Sequence, residues 1–161
     1  MNLEEYNHCV KEYADRVYRF VLRQLRDKDA ARDVVQDSFE KMWRKIETID
    51  ATKSKTYLFT TAYHTMIDHL RRESKKTALN EVDENSHSHS SQYSDLKELL
   101  NKGLELLPEI QKAVLLLRDY EGYDYAEIGR ITELSESQVK VYIFRARTFL
   151  RNYIGRMETV I

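Results

Sequence analysis

The first 102 residues of this chain contain neither glycine nor proline, and the whole sequence has only four glycines and one proline, Pro108. Tight hairpin turns depend on glycine because they need backbone conformations with positive φ. Glycine and proline are also the residues that most strongly interrupt helices. Their scarcity therefore predicts an all-α protein.

Length and composition limit the size and setting of the fold. The 161 residues, 42% hydrophobic and 33% charged, suffice for one medium domain or two small ones. The single cysteine, Cys9, has no partner for an internal disulfide, and no apolar run approaches the ~18 residues of a membrane span. The first residues do not resemble a signal peptide. We therefore expect a cytoplasmic protein in which Cys9 is a buried structural thiol.

Apolar residues recur at intervals of three and four in three N-terminal stretches. The pattern predicts amphipathic helices over residues 6–27, 29–46 and 56–73. On the second of these, the apolar face is expected to consist of Val35, Phe39, Met42 and Ile46. We expect the three helices to close a first hydrophobic core.

The apolar periodicity fails after residue 75, where the stretch NEVDENSHSHSSQYS is rich in Asn, Ser, His and acidic residues. That composition is typical of a solvated tether. The sequence therefore predicts small helical domains at residues 1–75 and 94–161, joined by a flexible linker at 76–93. His87 and His89 could bind a metal ion, but they lack the further ligands and fixed geometry of a metal site.

The C-terminal stretch has the pattern of four helices. Leucines repeat at helical spacing over residues 96–107, and a further apolar helix is expected over 108–122. Two capping boxes follow, in each of which a polar side chain accepts a hydrogen bond from the N–H three residues on. The boxes are Asp124 with Glu127 and Ser135 with Gln138, and Glu133 and Leu134 lie between the two helices that they open. This arrangement predicts a helix-turn-helix.

The second helix of this motif carries an excess of positive charge. Residues 140–156 include five basic residues and no acids, although the formal net charge of the chain is −1. Such a helix suits the DNA major groove, with N-terminal side chains at base edges and arginines at phosphates. On charge alone, a solvated basic face is the alternative. The candidate DNA contacts are Ser137, Gln138, Lys140, Val141, Phe144, Arg145 and Arg147.

Two N-terminal helices carry polar patterns of their own. One face of the second helix, called the acidic face below, consists of Asp33, Gln36, Asp37 and Glu40. It is either an ordinary solvated surface or a partner site. On the third helix, the aromatic residues Tyr57, Phe59 and Tyr63 precede His64 and a basic cluster of Arg71, Arg72, Lys75 and Lys76. Aromatic rings beside basic residues can stack unpaired bases and bind single-strand phosphate, although each ring taken alone is expected in the core.

Three separated motifs resemble those of a bacterial sigma-70-type factor. They are DAARDVVQDSFEKMWRKI, YLFTTAYHTMIDHLRRE and LPEIQKAVLLLRDYEGYDYAEIGRITELSESQVKVYIFRARTFLR, which occur in the family's order and extend the resemblance over about residues 6 to 155. The short length, with the second and fourth conserved regions joined by a tether, resembles the extracytoplasmic-function subgroup. The resemblance implies a region 2 helical bundle followed by a region 4 helix-turn-helix.

The resemblance also implies partners and site residues. The acidic face would dock on the coiled coil of the β′ subunit of RNA polymerase. The loop at residues 47–55 and the third helix would recognise and open the minus-ten promoter element and capture a flipped base. The contacts expected there are Tyr57, Thr61, Tyr63, His64, Arg71 and Arg72. The helix at residues 135–151 would enter the major groove of the minus-thirty-five element, and its domain would also contact the β flap.

Factors of this subgroup are commonly inhibited by an anti-sigma factor, often membrane-bound, so the resemblance implies that partner beside core polymerase and promoter DNA. It implies no cofactor, metal or small-molecule ligand. Five residues depart from the family's usual ones. Tyr142 and Phe144 occupy positions where polar or basic residues are common, so we expect an altered minus-thirty-five sequence. Glu133 occupies a turn position where the family often has glycine, His64 a position where Asn is usual, and Tyr57 one where Trp is frequent. We expect a left-handed backbone to be disfavoured at Glu133 and the minus-ten preference to differ.

Three other functions fit parts of the pattern. A helix-turn-helix repressor or activator that acts without polymerase would normally use one basic reader on a symmetric dimer. An enzyme or metalloprotein could be built on His64 and Asp68, which share a helix face, but no third ligand, nucleophile or phosphate loop accompanies them. A protein-binding adaptor would need the acidic face alone. The sequence therefore favours a sigma factor without enzymatic activity.

Overall fold

The computed structural model describes the backbone of residues 1–79 and 95–160 and the side chains of residues 1–76 and 95–157. All regular structure in these ranges is helical, as predicted, and no strand occurs in them. The described residues form two compact units, one on each side of residues 80–94. None of the described helices is long and apolar enough to cross a membrane. The predicted linker, with His87 and His89, lies mostly outside the described residues, and the predicted domain boundaries stay predictions.

The N-terminal unit contains three helices. They are α1 (Leu3–Leu25), α2 (Lys28–Arg44) and α3 (Ser54–Leu79), with two short 3-10 turns at Ile46–Thr48 and Ala51–Lys53 between α2 and α3. The connection between α1 and α2 takes two residues. Arg26 adopts a left-handed conformation with φ 57°, and the Asp27 carboxylate accepts hydrogen bonds from the N–H groups of Asp29 (2.9 Å) and Ala30 (3.2 Å). An N-cap of this kind satisfies backbone donors that a helix start leaves unpaired.

The core of this unit is closely packed around α2, which contacts both α1 and α3. The expected apolar face of α2 is partly wrong: Met42 is buried, but Val35, Phe39 and Ile46 are only partly so. The residues that α2 buries are Ala30, Ala31, Val34, Ser38 and Met42. Small side chains are needed there because a helix that packs on two neighbours at once must approach both closely. The Ser38 hydroxyl is satisfied by donating to the Val34 carbonyl at 2.6 Å.

Cys9 lies in the same core, as predicted, and is 1% exposed. Burial raises the pKa of its thiol, and a hydrogen bond with Ser54 acts in the opposite direction. The thiol is therefore held in its neutral, unreactive form at ordinary pH.

The C-terminal unit contains four helices. They are α4 (Asp95–Leu106), α5 (Glu109–Asp119), α6 (Tyr125–Thr132) and α7 (Glu136–Val160). The four residues predicted to face inward on α7, Val139, Ile143, Ala146 and Leu150, are all buried. Helix α7 contacts each of the other three helices, so this apolar stripe is the centre of the unit. Burying each of its three larger side chains contributes about 1.5–3 kcal/mol to the stability of the unit.

Candidate functional site

The helix-turn-helix consists of α6, α7 and the three residues between them. Both capping boxes form: Asp124 accepts from the Glu127 N–H at 2.8 Å, and Ser135 accepts from the Gln138 N–H at 3.1 Å. Glu133 adopts the left-handed conformation, with φ 62° and ψ 35°. Sequence analysis expected this conformation to be disfavoured for a residue other than glycine, and Glu133 nevertheless adopts it. The packing of α6 on α7 outweighs the local preference of the residue. The chain therefore keeps the turn geometry of the motif at some cost in strain.

The outer side of α7 presents all seven predicted DNA contacts. Ser137, Gln138, Lys140, Val141, Phe144, Arg145 and Arg147 are exposed. Phe144 is 71% exposed and Val141 44%, and the two lie three residues apart on the same side of α7. A cleft of about 620 Å³ runs between this side of α7 and Tyr125 at the start of α6. The surface thus combines basic groups with apolar groups that can contact base edges.

Several of these side chains already have partners within the unit. The side-chain oxygen of Gln138 accepts from the Ser135 N–H at 2.9 Å as part of the capping box. Lys140 lies 3.7 Å from the Glu136 carboxylate and 5.6 Å from the centre of the Tyr125 ring. Arg147 forms an ion pair with Asp119 at the end of α5, with a shortest distance of 2.5 Å. Sequence analysis missed this pair because 28 residues separate its members.

The acidic face of α2 is fully presented to solvent. Asp33, Gln36, Asp37 and Glu40 are all exposed, on the side of the helix opposite its buried residues. Glu40 forms an ion pair with Arg44 at 3.6 Å. Among the described residues, neither Asp33 nor Asp37 has an ion-pair partner. This face can therefore accept cationic groups of another molecule without first breaking an internal pair.

A groove of about 340 Å³ lies between α3 and the C-terminal end of α2. Of the residues predicted to contact the minus-ten element, Tyr57, Thr61 and His64 line it. Tyr63 does not, because it is only 6% exposed and packs edge-on against the His64 ring, with the ring centres 5.5 Å apart. Arg71 and Arg72 are exposed further along α3 and are not part of the lining.

The groove also contains basic residues that sequence analysis did not assign to it. Lys41, Arg44 and Lys45, from the end of α2, line the side facing α3. Lys41 donates a hydrogen bond to the Thr65 hydroxyl at 2.9 Å, which ties the two helices together. The basic run at residues 44–45 was visible in the sequence, but only the packing of α2 on α3 brings it beside Tyr57 and His64. The assembled groove can bind a phosphate backbone and stack a base.

The loop between α2 and α3 follows Lys45, the C-cap residue of α2, which lines the groove. Asp50 accepts hydrogen bonds from the N–H and hydroxyl of Thr52, at 3.0 and 2.8 Å, and these bonds lower the pKa of its carboxyl. The half-exposed Trp43 packs edge-on against the Tyr6 ring, with the ring centres 5.1 Å apart. The loop therefore has internal order through its own hydrogen bonds.

Comparison with known proteins gives two matches to family profiles. Sigma-70 region 2 matches residues 9–76, and Sigma-70, region 4 matches residues 97–150. The first match contains the acidic face and the groove, and the second contains α6, the turn and α7 as far as Leu150. Together they cover most of the chain and follow the order that the sequence motifs predict.

Curated proteins with similar sequences are sigma factors. The chain is 29% identical over 149 residues to the ECF RNA polymerase sigma factor SigM of Bacillus subtilis, covering 89% of this chain and 91% of that protein. It is 28% identical over 167 residues to the ECF RNA polymerase sigma-E factor of Haemophilus influenzae, covering 92% and 87%. Both alignments run through the two matched regions.

Solved structures with a similar fold include two chains bound to partner proteins. The sigma factor RpoE of Bartonella quintana, in complex with the anti-sigma factor NepR, aligns with a TM-score of 0.82 at 22% identity, covering 95% of this chain and 98% of that chain. CnrH, in complex with the cytosolic domain of CnrY, aligns with a TM-score of 0.68 at 19% identity, covering 96% and 90%. With region 2 and region 4 both present and in order, the chain belongs to the sigma-70 family of RNA polymerase sigma factors, in its extracytoplasmic-function subgroup.

Proposed function

We propose that this sigma factor acts in the cytoplasm by docking on core RNA polymerase through the acidic face of α2, opening the minus-ten element in the groove between α2 and α3, and reading the minus-thirty-five element with α7. It performs no catalytic step of its own and needs no cofactor. The observation that carries the proposal is the distribution of charge. One exposed face is acidic, whereas the groove and α7 are basic, so a protein partner and nucleic acid have separate surfaces.

Duplex reading is assigned to α7 because of its exposed side chains. Ser137 and Gln138 lie in its first turn, where a recognition helix approaches base edges most closely. Val141 and Phe144 supply apolar contact of the kind that thymine methyl groups accept. Lys140 and Arg145 are placed for base edges or phosphates beside them.

Strand opening is assigned to the groove of the N-terminal unit. Extruding a base costs a few kcal/mol in lost stacking, which new contacts must offset. Tyr57 and His64 offer ring surfaces, and Lys41, Arg44 and Lys45 offer positive charge, all within one groove. Stacking on an aromatic ring is worth about 1–3 kcal/mol per base, enough to compensate for one extruded base.

Polymerase supplies the remaining affinity. A formal net charge of −1 gives the free protein little general attraction to DNA. Docking through the acidic face tethers both DNA-binding surfaces near the promoter and raises their effective concentration. An anti-sigma factor is the expected inhibitor, as the complex of one similar sigma factor with an anti-sigma factor suggests.

Run-off transcription tests the proposal. Purified bacterial core polymerase, this protein and a genomic DNA library are combined, and the transcript starts are sequenced. We expect starts that share two spaced upstream elements and disappear when the protein is omitted. No initiation, combined with tight binding of the protein alone to duplex DNA, would instead identify a repressor.

Asp37→Arg tests the docking face. Reversing a charge that has no internal partner should weaken polymerase binding at least tenfold, because close charge pairs at interfaces contribute about 1.5 kcal/mol or more. Glu12→Arg is the control, since Glu12 is an exposed acid on α1, outside the acidic face, and has no ion-pair partner among the described residues. Both variants should keep the helical circular dichroism spectrum. Normal holoenzyme assembly by Asp37→Arg would refute docking through this face.

A further inference from the structure

The Asp119–Arg147 pair joins the end of α5 to the outer side of α7. The guanidinium donates two hydrogen bonds to the two carboxylate oxygens: Nη2 to Oδ1 at 2.5 Å and Nε to Oδ2 at 3.3 Å. This is the bidentate arrangement in which the planar guanidinium and the carboxylate match in geometry. It is more directional than the exposed pairs within single helices of this unit, such as Glu136 with Lys140 at 3.7 Å.

Tyr125, the first residue of α6, joins α6 to the contact between α5 and α7. Its ring lies 4.7 Å from the Arg118 guanidinium and 5.6 Å from the Lys140 ammonium. It also interacts with Arg147, whose pKa is raised chiefly by the hydrogen bond to Asp119 and to a lesser extent by Tyr125. One cluster therefore connects α5, α6 and α7 on the side of the unit that carries the candidate DNA contacts.

This geometry bears on the predicted role of Arg147. Asp119 occupies the Nε and Nη2 edge of the guanidinium and offsets its positive charge, so a phosphate could bind only through the remaining Nη donors. A phosphate at those donors would also lie near the Asp119 carboxylate, whose negative charge repels it, so the net attraction is weak. Arg145, two residues earlier and also exposed on α7, has no contact of this kind among the described residues. The two arginines thus differ in what a DNA contact would cost.

We propose that Arg147 is a positioning residue for minus-thirty-five recognition: Asp119 binds its guanidinium bidentately and so fixes the orientation of α7 relative to α5 and α6, while phosphate contact falls to other basic residues. The proposal rests on the proposed function, because it concerns how the reading helix is oriented. Its consequence is that sequence discrimination depends on Asp119, an acidic residue that would otherwise only repel DNA.

The test uses holoenzyme assembled from core polymerase and the full chain. Binding to a fluorescent promoter, taken from the transcript mapping above, is measured at several salt concentrations. The same promoter with a scrambled minus-thirty-five element is the reference. Two quantities are compared among wild type, Arg147→Ala, Arg147→Lys, Asp119→Asn and Arg145→Ala. They are the affinity ratio of the matched to the scrambled promoter and the slope of log affinity against log salt.

If Arg147 is a positioning residue, substitution of the two arginines should change different quantities. Arg147→Ala should lower the affinity ratio about fivefold and leave the salt slope unchanged, whereas Arg145→Ala should make the slope shallower by about one if it contacts a phosphate. Arg147→Lys should resemble Arg147→Ala, because lysine keeps the charge but lacks the bidentate fork.

Asp119→Asn gives the sharpest distinction. If Asp119 acts only as a surface charge, removing it should strengthen binding to both promoters and leave their ratio unchanged. If Asp119 acts as the partner of Arg147, Asp119→Asn should lower the affinity ratio about fivefold. The double variant Asp119→Asn with Arg147→Ala should then have the same ratio as either single variant, because both substitutions remove the same interaction. Glu98→Gln is the matched control, since it removes an acid from an ion pair within α4, away from the candidate DNA contacts, and should leave the ratio unchanged.

Two results would overturn the proposal: an unchanged ratio for Asp119→Asn, or a salt slope made shallower by about one in Arg147→Ala. Circular dichroism at the assay temperature establishes that each variant is folded. Wild-type holoenzyme that fails to initiate would refute the proposed function itself. Normal initiation by wild type with unaltered discrimination in the variants would refute only the role of Arg147.

Discussion

Gly129 lies in the middle of α6, and its lack of a side chain is what allows the turn of the helix-turn-helix to close. A Cβ atom added there would be 2.7 Å from the Leu134 carbonyl oxygen, 3.8 Å from the Leu134 carbonyl carbon and 3.9 Å from the Glu136 nitrogen. All three are backbone atoms, so no side chain can rotate away. The Leu134 N–H also donates to the Gly129 carbonyl at 3.0 Å, so moving the turn would strain this bond.

We therefore predict that Gly129→Ala destabilises the C-terminal unit by about 1–3 kcal/mol. Alanine gains about 0.5–1 kcal/mol over glycine inside a helix. Forcing an extra carbon into a packed site costs about 1–3 kcal/mol, and weakening the hydrogen bond costs about 1 kcal/mol more. The costs exceed the gain, because the atoms in the way belong to the backbone.

The matched control is Gly155→Ala on α7. A Cβ at Gly155 would meet nothing within 4 Å, so only the gain in helix propensity remains. This variant should stabilise the unit by about 0.5–1 kcal/mol. The two substitutions are chemically identical and lie in helices of the same unit, so their difference measures the backbone contact at the turn.

Urea unfolding of the full chain can separate the two units. Trp43 is the single tryptophan and lies in the N-terminal unit, so its fluorescence follows the unfolding of that unit. Far-ultraviolet circular dichroism follows the loss of helix in both units. Gly129→Ala should shift part of the circular dichroism transition to lower urea and leave the Trp43 transition in place. If Gly129→Ala proved as stable as Gly155→Ala, the inferred contact with the Leu134 carbonyl would be refuted.

Two further stability predictions concern single residues. Glu133→Gly should stabilise the C-terminal unit by about 0.5–1 kcal/mol, because glycine adopts φ 62° without the strain that a Cβ adds; a lower urea midpoint by circular dichroism would contradict this. Gln24→Leu should stabilise the N-terminal unit by about 1 kcal/mol, because the buried amide has no hydrogen-bond partner among the described residues for either of its polar atoms. The midpoint of Trp43 fluorescence measures that effect, and a fall would show that the amide is satisfied by water.

Local patterns predicted the helices well, because helix formation depends on residues three and four apart. The inward-facing residues of α7 and both capping boxes of the helix-turn-helix are examples. The apolar face of α2 was partly wrong, because hydrophobicity does not reveal that a helix packs on two neighbours. Ala30, Ala31 and Ser38 are buried there for their size.

The sequence predicted those parts of the candidate sites that lie on a single helix. The acidic face and the exposed row on α7 follow from spacing along a single element. Lys41 and the residues next to it join Tyr57 in the groove only through the packing of α2 on α3. The Asp119–Arg147 pair likewise depends on how α5 meets α7. Distances between helices are set by the core, which periodicity does not describe.

The two-residue connection between α1 and α2 has a consequence for the speed of folding. Arg26 and Asp27 reverse the chain at once, so the contacts between the end of α1 and the start of α2 join residues that are close in sequence. Closing so short a loop takes well under a microsecond, and proteins rich in such local contacts fold in about microseconds to milliseconds. Trp43 fluorescence should therefore recover within milliseconds of dilution from urea in a stopped-flow experiment, and recovery over seconds would argue against this hairpin as the nucleus. A hairpin of α1 and α2 that forms this early would present the acidic face of α2 before α3 has packed against it.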